Sequence, residues 1–322
     1  MNWSTPVRTA AVACLTAALL CSTAALETQA REATLRYAGT TRDGLLAIDS
    51  NGSHVLAGGF GGGLLESTDA GQSWADQPVL DARSSILGLA LGRETSLAVG
   101  QGGRAWRRDG DEAWEPMSMP SQERWLNVDL IDDGLAVAVG GFGALAVSKD
   151  HGRTWTPVSL DWSAMLDEWY EPHLYDVRIR NGVVTVVGEF GLVLRSSDNG
   201  ASWQGVSYGD ESFFALHLGD DGKGYAVGQD GYIAMTQDGG ASWESCQFRG
   251  DSNLFGVSAS GSRVVAVGMR RILVSDDHCD SFQPVGSEAQ RRGWWQAATF
   301  DEGKGEFLVV GSGARILSID RQ

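Results

Sequence analysis

A chain of 322 residues with 43 glycines, 12 tryptophans and only 7 prolines is patterned more regularly than an average two-domain enzyme, and it can bury a large core. Its 41 Asp and Glu outweigh 25 Lys and Arg, and the net charge of −16 excludes nonspecific attachment to nucleic acid or to an anionic membrane surface. Any basic patch must be local.

Residues 1–30 carry Arg8, the apolar run "AAVACLTAALLCSTAAL" and small residues before "ETQA", the pattern of a signal peptide cleaved after Ala25 or Ala30. A membrane anchor is the competing reading, but the run is at the short limit for a bilayer and no later stretch could span one. Leu20 is too bulky for a lipoprotein cleavage site ahead of Cys21. With the leader removed, residues 31–322 form the exported protein, and only Cys246 and Cys279 remain in an oxidising compartment.

From residue 33 onward the chain repeats. "STDAGQSW" at Ser67, "SKDHGRTW" at Ser148, "SSDNGASW" at Ser196 and "TQDGGASW" at Thr236 share one design, with a degraded "SDDHCDSF" at Ser275 and a blurred "RRDGDEAW" ending at Trp114. Upstream of each lies an apolar run ending in glycine, such as "VTVVG" or "GYAVG", and the spacing of these runs is roughly 40 residues, the period of a propeller blade. Each unit reads as four short strands, with helical periodicity absent. The expected fold is all-β: a seven-bladed β-propeller with Asp-box repeats over residues 31–322, its blades covering one another around a ring. The last unit, "WWQAATF", "EFLVVG" and "ARILSI", is one strand short, and "ATLRYAG" after the leader belongs to no complete unit. That N-terminal strand is expected to close the ring.

The boxed residues Asp69 and Trp74, Asp150 and Trp155, Asp198 and Trp203, and Asp238 and Trp243 are read as hairpin clamps. Asp198 accepts from amides of its own turn, Gly200 takes a positive φ, Ser202 adds a local bond and Trp203 packs between sheets. Boxes spread around a ring cannot converge on one substrate, and each lacks the several carboxylates of a calcium loop. Cys279 stands where other boxes have glycine, an odd choice if φ must be positive, and Cys246 in the preceding unit is near enough to bridge it.

Repeated boxes in compact units such as "VVGEFGLVLRSSDNGASW" and "YAVGQDGYIAMTQDGGASW", after one exported leader, resemble the photosystem II stability and assembly factor family and its bacterial relatives. The resemblance covers almost all of residues 33–322. It implies a non-enzymatic scaffold in the periplasm, or in a thylakoid lumen, that binds subunits of a membrane-protein complex through an arginine-rich face. The acidity of this chain departs from a continuous basic face.

The chemistry otherwise legible is sparse. The five histidines show no ligand spacing, so no metal is expected, and nothing points to a cofactor. "GGFGGG" is not a phosphate loop, because a strand and a box follow it. A sialidase would need an arginine triad and a Tyr–Glu pair, and no inserted catalytic loop is present. Asn127, Asp129, Asp176, Arg178, His217 and Gln296 fall near the axis, where they read either as a wet channel whose groups satisfy one another or as a glycosidase acid pair. A glycan-binding or glycoside-hydrolysing propeller is therefore the alternative function.

The expected partner site lies opposite the boxes. Arg104, Arg271 and Arg315 start third strands, Arg270 adjoins one of them, and Arg291 and Arg292 precede the last unit. Together they form an arc suited to carboxylates, or each simply pairs with a nearby acid. The insertion at residues 159–173 adds Trp162, Trp169 and Tyr170 as aromatic anchors, or as a plug for the channel mouth, and "RRGWWQ" places Trp294 on the same face with Trp295 in the core.

Overall fold

Apolar runs of five or six residues ended by glycine cannot shield two faces alone, and stacking them face to face removes both from water. The computed structural model describes Met1, residues 33–166 and residues 170–320, and among these it forms seven four-stranded antiparallel sheets. The signal-peptide reading of residues 1–30 lies outside the described residues. Blades 1 to 7 start with innermost strands Leu45–Asn51, Ile86–Leu91, Trp125–Leu130, Leu174–Arg180, Phe213–Leu218, Leu254–Ser260 and Trp295–Asp301. Second strands such as Arg263–Gly268 are buried along their whole length, because neighbouring blades cover both sides.

Blade 7 has three strands from the C-terminal segment, and Ala33–Tyr37 supplies its outermost one, running antiparallel to Arg315–Asp320 with Thr34 opposite Ser318. Arg36 ties this strand inward, donating to Ser318 Oγ at 2.9 Å and to Glu306 at 2.8 Å.

The four intact boxes share one geometry. In blade 4, Asp198 Oδ1 accepts from the Ser202 amide at 2.9 Å, Oδ2 accepts from the Ser202 hydroxyl at 2.6 Å, and Trp203 Nε1 donates to the Gly200 carbonyl at 3.1 Å. The Ser202 hydroxyl and amide hold the Asp198 carboxyl down to about 2. Gly200 is required twice: φ is +80°, and a Cβ there would meet Val147 of blade 3 at 2.7 Å. The box turn thus sits in the seam with the preceding blade. Asp69, Asp150 and Asp238 hold the same bonds, with Trp74, Trp155 and Trp243 donating to Gly71, Gly152 and Gly240.

Blade 6 departs from this pattern. Asp277 still binds Ser281, but only His278 takes a positive φ, so Cys279 carries no left-handed strain. Its side chain bonds to Cys246 across the seam between blades 5 and 6, with the Cα atoms 5.8 Å apart.

Candidate protein-interaction face

Each box turn packs beside a first-to-second-strand hairpin, as where the Ala70 amide donates to Ser53 O at 2.8 Å. The opposite face is therefore built from second-to-third-strand turns and from the links between blades. Most of the expected arginines lie there already engaged. Arg104 donates to Asp81 at 2.7 Å, Arg271 pairs with Asp251, and Arg291 donates to Gly286 O. Arg315 is a structural post: it donates to the carbonyls of Ser312, Gln290 and Arg292 and lies 4.6 Å over the ring of buried Trp295. Arg270 is exposed with no ion pair among the described residues, and exposed Arg292 reaches Glu288 only at 3.8 Å. The arc of six arginines reduces to these two available guanidinium groups.

The insertion also departs from expectation. Trp162 opens a short helix, Trp162–Leu166, and is buried with Met165 in the seam of blades 3 and 4 instead of standing at the surface. Trp169 lies outside the described residues. Tyr170 meets Phe190 edge-on with centroids 5.3 Å apart, and half-buried Trp294 lies 5.9 Å from Phe60.

Two features escaped sequence reading. All seven innermost strands slip register near their start, and the skipped residues are Leu46, Leu87, Leu126, Tyr175, Phe214, Phe255 and Gln296. All seven line the tunnel mouth. In blades 3 to 6 they join a continuous string of rings: Phe142 to His173 at 4.8 Å, His173 to Tyr175 at 6.2 Å, Tyr175 to Phe214 at 5.1 Å and Phe214 to Phe255 at 6.0 Å. The second feature is the turn position two residues past the glycine that ends each blade's second strand, which takes a positive φ in all seven blades. Blades 3 and 4 place Phe142 and Phe190 there, at +53° each and 61% and 49% exposed. A bulky residue in that region costs roughly 1–2 kcal/mol over glycine, and both rings stay about half in solvent, Phe142 against His173 and Phe190 against Tyr170. These exposed rings and the string at the tunnel mouth form an aromatic crown, braced by Glu189, which accepts from the His173 amide at 2.8 Å.

Beneath the crown the tunnel groups satisfy one another. Asp49, Asp129 and Asp176 each accept from an amide of the next blade, Leu91, Ile179 and Leu216, at 2.8, 2.6 and 2.7 Å. Arg178 donates to Asp176 at 2.8 Å, Asn127 donates to the same oxygen at 2.5 Å, and Arg180 reaches Asp129 at 3.3 Å. Burial raises Asp176 and lifts Asp49 to about 6; burial, with Arg178 nearby, lowers His217 to about 3. Among the described residues no cluster of His, Cys, Asp and Glu could hold a metal ion.

These shifts have opposite signs in stability. An acid raised above its unfolded value of roughly 3.9 stabilises the folded chain at low pH, and that contribution is lost as pH rises through about 6. A histidine held neutral contributes stability above its ordinary value, lost as pH falls toward about 3. The two oppose between, so the single substitution isolates one. Asp49→Asn should gain on the order of 1–2 kcal/mol over the wild type at pH 7.5 and little at pH 4, read by urea unfolding. An equal difference at both pH values would mean that Asp49 titrates normally.

Residues 106–212 match the family model described as photosynthesis system II assembly factor YCF48. No curated protein sequence matches the chain. Among solved structures, YCF48 bound to a D1 peptide superposes with a TM-score of 0.71 at 15% identity, covering 92% of this chain and 97% of that one. YCF48 from Cyanidioschyzon merolae gives 0.71 at 15% identity, covering 90% and 99%. The WD40 propeller domain of Doa1 gives 0.68 at 12% identity, covering 91% and 97%.

Proposed function

We propose that this seven-bladed propeller, whose residues 106–212 match the photosystem II assembly factor YCF48 family model, is an exported, non-enzymatic scaffold that binds a segment of a membrane-protein subunit on the face opposite its Asp boxes. The observation that carries this reading is the aromatic crown: exposed Phe142 and Phe190 on left-handed turns, Phe142 joined through His173 to the ring string at the tunnel mouth and Phe190 set against Tyr170, with Arg270 and Arg292 beyond. Rigid aromatic side chains supply contact area at little entropic cost, and arginines at the rim select acidic or carboxylate groups. The partner kind is supported by the similar YCF48 structure, whose bound ligand is a D1 peptide. Export is supported by the leader pattern at residues 1–30, with transit to the periplasm or to a lumen, and the Cys246–Cys279 bond suits an oxidising compartment. A glycoside hydrolase reading is disfavoured because each axial carboxylate is committed to a neighbouring blade's amide.

The test is retention of detergent-solubilised membrane subunits on immobilised protein. Phe142→Ser with Phe190→Ser, and separately Arg270→Glu with Arg292→Glu, should each reduce specific retention about tenfold without lowering the unfolding temperature. Gln72→Arg, on the box side, should retain as the wild type does. Equal retention by all four proteins would remove the crown from function.

A further inference from the structure

All seven seams between blades carry an apolar cluster, and in the seam of blades 1 and 2 Leu80 and Trp114 pack on a cluster that includes Trp106, yet there a cleft remains open at the rim. Trp74 and Tyr37 fill the seam of blades 7 and 1, Met117 and Trp155 that of 2 and 3, Trp162 and Met165 that of 3 and 4, Tyr208 and Trp243 that of 4 and 5, the disulfide that of 5 and 6, and Val285 that of 6 and 7. The seam of blades 1 and 2 instead opens into a cleft of about 890 Å³, walled by Leu80, Trp106, Trp114 and Pro116.

The cause lies in the sequence. Blade 2 carries the blurred box "RRDGDEAW", so Asp109 binds Arg107, Thr95 and Arg153 and makes no clamp of its own. The four boxed tryptophans donate Nε1 to the glycine carbonyl of their turn; Trp114 has no such carbonyl, and its Nε1 is buried without a partner. Arg108, 5% exposed, is bidentate to Glu66 at 2.8 and 3.1 Å and lies 5.0 Å over the Trp114 ring, yet its Nε is likewise unpartnered.

We propose that this cleft is a second binding site, for an extended peptide segment of a partner with an apolar residue beside a basic one. The apolar residue packs between the Trp114 ring and Val79, which is 57% exposed at the rim. The charges select the flank: Arg108 and Arg104 are neutralised by Glu66 and Asp81, while exposed Asp111 and Glu112 have no ion pair among the described residues, so the open charge is negative. The outermost strand of blade 2, Glu115–Ser118, ends its sheet beside the cleft, where Pro116 leaves its carbonyls but no N–H of its own for an extended segment.

The probe is a capped alternating lysine–leucine octapeptide, followed by the indole Nε1–H resonance of Trp114, assigned by its loss in Trp114→Phe. A saturable shift is expected, with affinity about tenfold weaker for the surface pair Asp111→Asn with Glu112→Gln, and no shift with the glutamate–leucine counterpart. Absence of a saturable shift, or an equal shift with the acidic peptide, would overturn the proposal. Binding lost in Phe142→Ser with Phe190→Ser but unchanged in the cleft variant would overturn it too, while leaving the crown reading intact.

Discussion

Deleting residues 31–40 is expected to abolish cooperative unfolding altogether. The closing strand Ala33–Tyr37 is the outer edge of blade 7, and it touches both adjoining seams: Ala33 packs with Val265 and Val285 of blade 6, and Tyr37 packs with Leu45 and Trp74 of blade 1. Gln290 Nε2 donates to Ala33 O at 2.6 Å, and the Gly39 amide donates to Gly313 O at 3.0 Å. Removal bares the edge of Arg315–Asp320 and strips the outer cover from the blade that also packs on blade 1 through Leu308, Val310 and Ile316. Each remaining blade depends on its neighbours, so the loss propagates around the circle. Differential scanning calorimetry should show no sharp transition; a transition within a few degrees of the wild type would mean that the three-stranded blade closes the ring unaided. Arg36→Ala, which keeps the strand and removes the bonds to Ser318 and Glu306, should be only mildly destabilising.

The second large effect concerns Cys246 and Cys279. Their bond spans a sequence separation of 33 and lies within the seam core with Phe248 and Phe282. Releasing a loop of that length frees unfolded-state entropy of roughly 3–4 kcal/mol. Cys246→Ser, Cys279→Ser and the double variant should therefore all melt on the order of 5–10 °C lower, and by similar amounts, since either substitution removes the same link. The seam makes reduction slow in the native state, because both sulfur-bearing residues are buried. Unchanged melting of the double variant would show that apolar packing of Phe248 and Phe282 alone secures these blades.

What the sequence made legible follows from repetition. The boxes declare themselves because one turn geometry needs Asp, Gly and Trp at fixed offsets, and the closing strand follows from counting strands. The crown was hidden for a different reason. Reading a strand as strict alternation assumes an unbroken register, and the slip at Tyr175 or Phe214 moves one side chain out of the ladder and into the tunnel mouth. The recurring "GGFG" and "GEFG" offered a signal, since a phenylalanine between glycines has no core to enter, yet the flanking glycines read simply as a turn. The arginines were legible in part. Their place at third-strand starts was visible, but whether a guanidinium is available depends on carbonyls from other segments, as Gln290 and Arg292 engage Arg315. Trp162 was misplaced because an insertion beyond the repeat reads as surface, whereas Gly143 and Gly205 leave room for it and for Met165 in the seam.

The central claim is that partner recognition belongs to the crown and not to the box face. Site-specific photo-crosslinking tests it most directly, with the photoreactive group placed at Phe142 in one protein and at Gln72 in another, each incubated with native membranes. The account predicts a discrete adduct with a membrane-protein subunit from Phe142 and none from Gln72; adducts from Gln72 alone, or the same products from both positions, would contradict it.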